Sequence, residues 1–191
     1  MSTSREPTRS DGEFEIRGVN HVALVCRDMA VTVDFYTKVL GMPLVKTIEL
    51  PFGGGQHFFF DIGNGDTIAF FWFPDAPPPA PGVASAGAYP GRDRWQSAVG
   101  SMNHLAFDIP PERFDEYVER LRAKGVPLGD VLNHDDSELG VSERPHAGTF
   151  VRSVYFFDPD GILLEFAAWT RALGPGDVRH SPARAAAATT S

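Results

Sequence analysis

A single cysteine, Cys26, stands among 191 residues, so no intrachain disulfide can form and a reducing compartment suits the chain. Long apolar runs are missing too. The longest, Ile68 to Phe73, falls far short of the roughly 20 residues that a membrane-spanning helix needs. Basic clusters are absent: 17 Lys and Arg stand against 25 Asp and Glu, a net charge of -8, which fits nucleic acid poorly. The polar opening stretch, residues 1–15, lacks the apolar core of a secretion signal. These absences predict a cytoplasmic protein with neither nucleic acid nor membrane as a partner. Tyrosine and tryptophan are scarce, at four and three, whereas phenylalanine is plentiful at 15, which points to an aromatic interior or pocket.

The length allows one domain or two small fused modules, and two stretches of the chain resemble each other. One opens Val19-Asn20-His21-Val22-Ala23-Leu24 and the other Met102-Asn103-His104-Leu105-Ala106-Phe107. A helix is expected after each opening. The first is capped by Asp28 and carries Phe35, Tyr36, Val39 and Leu40; the second follows Pro110-Pro111 and carries Phe114, Tyr117, Val118 and Leu121. Both should stop at a glycine, Gly41 or Gly125. Strand-like runs follow at 44–50, 56–62 and 67–73, then at an ill-defined place in 128–144, at 153–157 and at 162–169. The expected organisation is a disordered tail (1–14), a first βαβββ module (15–73), a Pro/Gly-rich linker or lid (74–100), a second βαβββ module (101–170) and a disordered tail (171–191). The fold class is α+β, two tandem modules forming a curved, eight-stranded mixed sheet around a cleft.

Side chains alternate across a strand, so parity assigns faces. Leu105, Phe107 and Ile109 are large and apolar and should cover the helix, which puts His104 on the other face with Ala106. By the same parity His21 lies with Ala23, and Glu165 with Ala167. Glu165 interrupts the apolar run 162–169, where an unpaired carboxylate would be costly. Two imidazoles and one carboxylate, each with a small residue beside it, make a metal triad with open positions. Such a set suits Fe(II), with Mn(II) or Zn(II) as further candidates.

These motifs, followed by Phe157-Asp158-Pro159-Asp160-Gly161 and Glu165, resemble the vicinal-oxygen-chelate superfamily of glyoxalases, bleomycin-resistance proteins, fosfomycin-resistance enzymes and extradiol dioxygenases. The resemblance covers about 17–170 and implies His21, His104 and Glu165 as the metal ligands. A narrower likeness, to the extradiol ring-cleaving dioxygenases, rests on His146, Tyr155 nine residues later, and Glu165 ten residues after that. It implies that His146 and Tyr155 hydrogen-bond the substrate and oxygen. It also places Asp66 where that family has an acid/base histidine.

The implied activity is cleavage of a catechol-like ring by dioxygen on Fe(II), in a homodimer whose modules pair within one chain or across two. Two alternatives stand beside it. A metal-dependent lyase or transferase of the glyoxalase or fosfomycin-resistance kind is one, although Ala69 occupies the place of a glyoxalase's further glutamate ligand and only Arg144 and Arg152 offer positive charge. The other is a binding protein for aromatic ligands, of the bleomycin-resistance type, for which a metal triad would be superfluous.

Overall fold

The computed structural model describes residues 18–184; the expected tail at 1–14 lies outside them, as do 185–191. In the first module β1 (His21–Cys26), β2 (Leu44–Leu50), β3 (Gly55–Gly63) and β4 (Asp66–Trp72) form a sheet in the order β1-β4-β3-β2. In the second, β5 (Leu105–Asp108), β6 (Leu132–His134), β7 (Val141–Ser142), β8 (Val151–Phe157) and β9 (Leu163–Trp169) form a sheet in the order β5-β9-β8-β6-β7. In both, the first strand lies parallel to the last and the others run antiparallel. The α+β class and the paired modules are as the sequence implied. The strand count differs by the two-residue β7, and the strands form two sheets rather than one.

Each module's helix packs on its own sheet. Helix α1 (Met29–Asp34) starts where Asp28 accepts the Ala30 and Val31 amide protons at 2.9 and 3.1 Å, and continues as a π-helical turn over Phe35–Val39. That wider turn is a departure from a plain α-helix. The chain leaves it through Gly41 at φ 76°, a left-handed conformation that glycine adopts without a steric penalty. Helix α2 (Phe114–Ala123) follows a 3-10 turn that begins at Pro111, and Gly125 at φ 77° ends it in the same way.

The inner faces of the two sheets share one core. Tyr36, Phe60, Ile68 and Phe70 from the first module pack with Phe107, Leu121, Phe156 and Leu164 from the second. Burying each such side chain stabilises the fold by about 1.5–3 kcal/mol. A clamp joins the modules across this core. Tyr36 Oη donates to Asp158 Oδ2 at 3.2 Å, and the Arg27 amide donates to Asp160 Oδ2 at 3.1 Å. Because both inner faces meet in the middle, the outer faces look away from each other.

The Pro/Gly-rich segment 74–100 is a strap laid over part of the second sheet's outer face. Ala86 is fully buried there with Tyr155 and Leu163. Tyr89 packs on Phe157 with ring centroids 5.1 Å apart and donates to the Pro127 carbonyl. At the other end, residues 171–184 are not shapeless: Arg171 pairs with Asp177 at 2.6 Å across a 3-10 turn at Pro175–Asp177.

Candidate functional site

His104 sits one residue before β5, and Glu165 is the third residue of the neighbouring β9. Registry pairs Glu165 with Ala106 on one side and Tyr155 on the other. Small Ala106 leaves room, and His104 Nε2 comes 2.9 Å from Glu165 Oε2. Glu165 is almost wholly buried. Burial works against its charge, but the His104 contact and the Ser153 and Tyr155 hydroxyls outweigh it, so the carboxyl lies below its usual value. Tyr155 is raised, by burial first and then by the Glu165 charge, and its ring stands edge-on to His104 at 5.4 Å.

His134 on β6 belongs to the same surface, although no motif surrounds it in the sequence. Burial lowers it, while the Glu165 charge pulls the other way. A pocket of about 180 Å³ opens beside Tyr155, under the strap, with Tyr89, Arg92 and Leu132 among its walls.

His21 lies on the outer face of the first sheet, exposed, with its ring edge-on to Phe59 at 5.9 Å. Its neighbour His57 is wedged between Phe59 and Phe71, at 4.3 and 3.6 Å between ring centroids. The His57 Nε2 atom is buried without a hydrogen-bond partner, and both burial and the nearby His21 lower its pKa. Of the phenylalanines on β3 and β4, Phe58, Phe60 and Phe70 face the core, whereas Phe59 and Phe71 line this outer face.

The two halves do not meet inside one chain. Among the described residues no three His, Cys, Asp or Glu side chains gather closely enough to hold a metal. His104 and Glu165 form one half; His21 points outward from the other module. The other sequence candidates also part company. Asp66 heads β4 with the parity of Ile68 and Phe70, opposite to His21. His146, in the loop before β8, has both ring nitrogens engaged: Nδ1 accepts from the Gly148 amide at 3.0 Å and Nε2 contacts Asp135 Oδ2 at 2.9 Å. That geometry leaves it no free nitrogen to offer a substrate. Arg152 is turned to the helix side, paired with Asp115 and lying over the Phe114 ring.

The donor set nevertheless suits a divalent ion. The 2.9 Å approach of His104 Nε2 to Glu165 Oε2 is bridged by a proton on the imidazole, a place that a cation could take. The buried Ser153 hydroxyl on the same face lies near enough to favour the Glu165 charge but makes no well-formed hydrogen bond. Imidazole and carboxylate together favour Mn(II), Fe(II) or Zn(II).

Known proteins share this architecture. The chain is 28% identical over 155 residues to the fosfomycin resistance protein FosX of Listeria monocytogenes, spanning 81% of this chain and 92% of that one. It is 32% identical over 167 residues to MhqE of Bacillus subtilis, a "Putative ring-cleaving dioxygenase", and there it spans 81% of this chain but only 48% of the relative. Among solved structures, a variant of Listeria FosX complexed with Mn(II) and a dihydroxypropylphosphonic acid superposes with a TM-score of 0.51 at 25% identity, covering 79% of this chain and 91% of that one. The family model for the glyoxalase/bleomycin resistance protein/dioxygenase superfamily matches residues 18–166, and the chain belongs to that superfamily.

Proposed function

We propose that the chain is a divalent-metal enzyme whose substrate binds through two adjacent oxygens, and that its site is completed by a second copy of the chain. The observation that carries this reading is the buried His104–Glu165 pair. It is supported by His21, which has the same kind of asparagine contact on the opposite module: Asn20 Oδ1 lies 2.7 Å from His21 Nδ1. One chain presents the first module's outer face and the second module's outer face in different directions. A two-fold partner would bring His21 of one copy to His104 and Glu165 of the other, giving two equivalent sites per dimer.

In such a site His21, His104 and Glu165 would hold the ion, which supplies Lewis-acid or redox chemistry to the chelated oxygens. Tyr155, kept protonated by burial and the adjacent carboxylate, would donate a hydrogen bond to a substrate oxygen. Phe59 and Phe71 would wall the cleft against water.

Two chemistries remain for this site. Ring cleavage of a catechol with Fe(II) and dioxygen is favoured by the aromatic wall, by Tyr155 beside Glu165 and by the likeness to MhqE. Opening of a small oxygen-rich substrate with Mn(II) is favoured by the likeness to FosX over nearly its whole length. The engagement of His146 and the core-side parity of Asp66, opposite to His21, weigh against the first.

Two experiments test these readings. Metal-loaded protein is assayed for oxygen uptake with catechols and for consumption of fosfomycin. Separately, His21→Ala and Glu165→Gln proteins are mixed after unfolding together. Each mixed dimer then regains one site with all three ligands, so Mn(II) binding should return. No return on mixing would overturn the shared site.

A further inference from the structure

The strap does more than cover the sheet: we infer that it sets the tautomer and aim of His104, acting through Asn103. Asn103 Nδ2 donates to the Trp95 carbonyl at 2.9 Å and to Ser97 Oγ at 3.3 Å. A carbonyl only accepts, so the amide cannot be flipped without placing two acceptors against each other. Asn103 Oδ1 is therefore the atom that faces His104 Nδ1, at 2.9 Å. An amide oxygen also only accepts, so Nδ1 must carry a proton. The other ring nitrogen, Nε2, is thereby directed at Glu165 and supplies the lone pair that a cation would use.

The strap is held firmly enough for this role. The Ala86 amide donates to the Asn103 carbonyl at 3.0 Å, the Gly87 amide to the Arg94 carbonyl at 2.9 Å, and Ser85 Oγ to the Gly161 carbonyl at 3.2 Å. Asn103 thus ties the strap to the metal half-site through both its backbone and its amide. It touches no substrate atom and acts through His104, which makes it a positioning residue. Its effect on metal affinity rests on the metal reading above; its effect on the tautomer does not.

The test uses the full chain with nitrogen-15 histidine. Long-range proton–nitrogen correlation in the metal-free protein should show His104 protonated at Nδ1. Asn103→Ala should lose that state and weaken Mn(II) binding by about 10–100-fold, as is usual when the partner of a metal-bound histidine is removed. Asn103→Asp keeps an acceptor but loses both donations to the strap. It should leave Nδ1 protonated while amide exchange at Ala86 and Gly87 accelerates, and it carries the test if the alanine variant does not fold. Unchanged nitrogen shifts in Asn103→Ala, or unchanged strap exchange in Asn103→Asp, would overturn the inference. A wild-type chain that binds no divalent ion would sink the proposed function instead, leaving the tautomer and exchange measurements to judge the relay.

Discussion

Replacing Asp158 with asparagine should remove a large part of the protein's pH sensitivity. Asp158 precedes β9, the strand that carries Glu165, and is almost completely buried. Its Oδ1 accepts the Asp160 and Ile162 amide protons at 2.9 and 2.8 Å, and its Oδ2 accepts from Tyr36. Burial disfavours the charge more than these donors favour it, and the carboxyl is pushed up to about 6 from an ordinary 3.8. The folded state therefore holds the proton more tightly than the unfolded state does. It binds more protons between about pH 4 and pH 6, so stability falls as pH rises through that window and then levels off. A rise of about two pKa units, at 1.36 kcal/mol each, sets the loss at up to about 3 kcal/mol. Asparagine keeps the shape, and its oxygen can accept both amide protons, but it carries no titrating proton. Urea unfolding at a series of pH values should show wild type losing up to about 3 kcal/mol relative to Asp158→Asn between pH 4 and pH 7. Parallel stability curves for the two proteins would refute the reasoning.

Further expectations follow from the site and the core. Glu165→Gln should abolish tight Mn(II) binding, a loss larger than the roughly 10–100-fold expected for a supporting residue, measured by electron paramagnetic resonance titration. His146→Ala should leave Mn(II) affinity near wild type and increase proteolysis in the loop 135–149, because the histidine there holds Asp135 and does not touch the His104–Glu165 pair; lost activity with the loop and Mn(II) binding intact would restore it to a chemical role. Phe114→Ala should cost about 3–5 kcal/mol in urea unfolding, since that ring is fully buried with Arg152 stacked on it at 4.3 Å. The pairing of Arg171 with Asp177, and the amide of Gly174, hold the Asp177 carboxyl down at about 2. Its stabilising contribution should persist above its ordinary value of 3.8 and fade as pH falls from there toward 2; the assay is amide exchange of the 174–178 turn.

Local rules carried much of this protein. Strand alternation is a property of two neighbouring residues. It therefore placed His21, His104 and Glu165 on the faces turned from the helices, and the side chains on β3 and β4 divided between core and surface as parity requires. The Asp28 cap and the turns at Gly41 and Gly125 are likewise local, because they depend on one side chain's reach or one residue's backbone freedom. Motif spacing says nothing of how a loop folds on itself. His146 stands at the spacing expected of a catalytic residue, yet Asp135, 11 residues earlier, holds its ring in the loop. Nothing in the sequence marked His57 or His134; each gains its setting from neighbouring strands.

What the sequence alone determined is the kind of protein this is: a duplicated α+β unit, with metal-ligating residue types at matched positions in each copy. Only the tertiary structure decided how those residues are distributed. The inner faces of both modules must bury their phenylalanines and leucines against each other, and so the faces bearing the histidines turn outward and apart. The same packing drew the strap across the second sheet, where a carbonyl and a hydroxyl orient Asn103. Such outcomes depend on which surfaces meet in space, and no run of adjacent residues encodes that by itself.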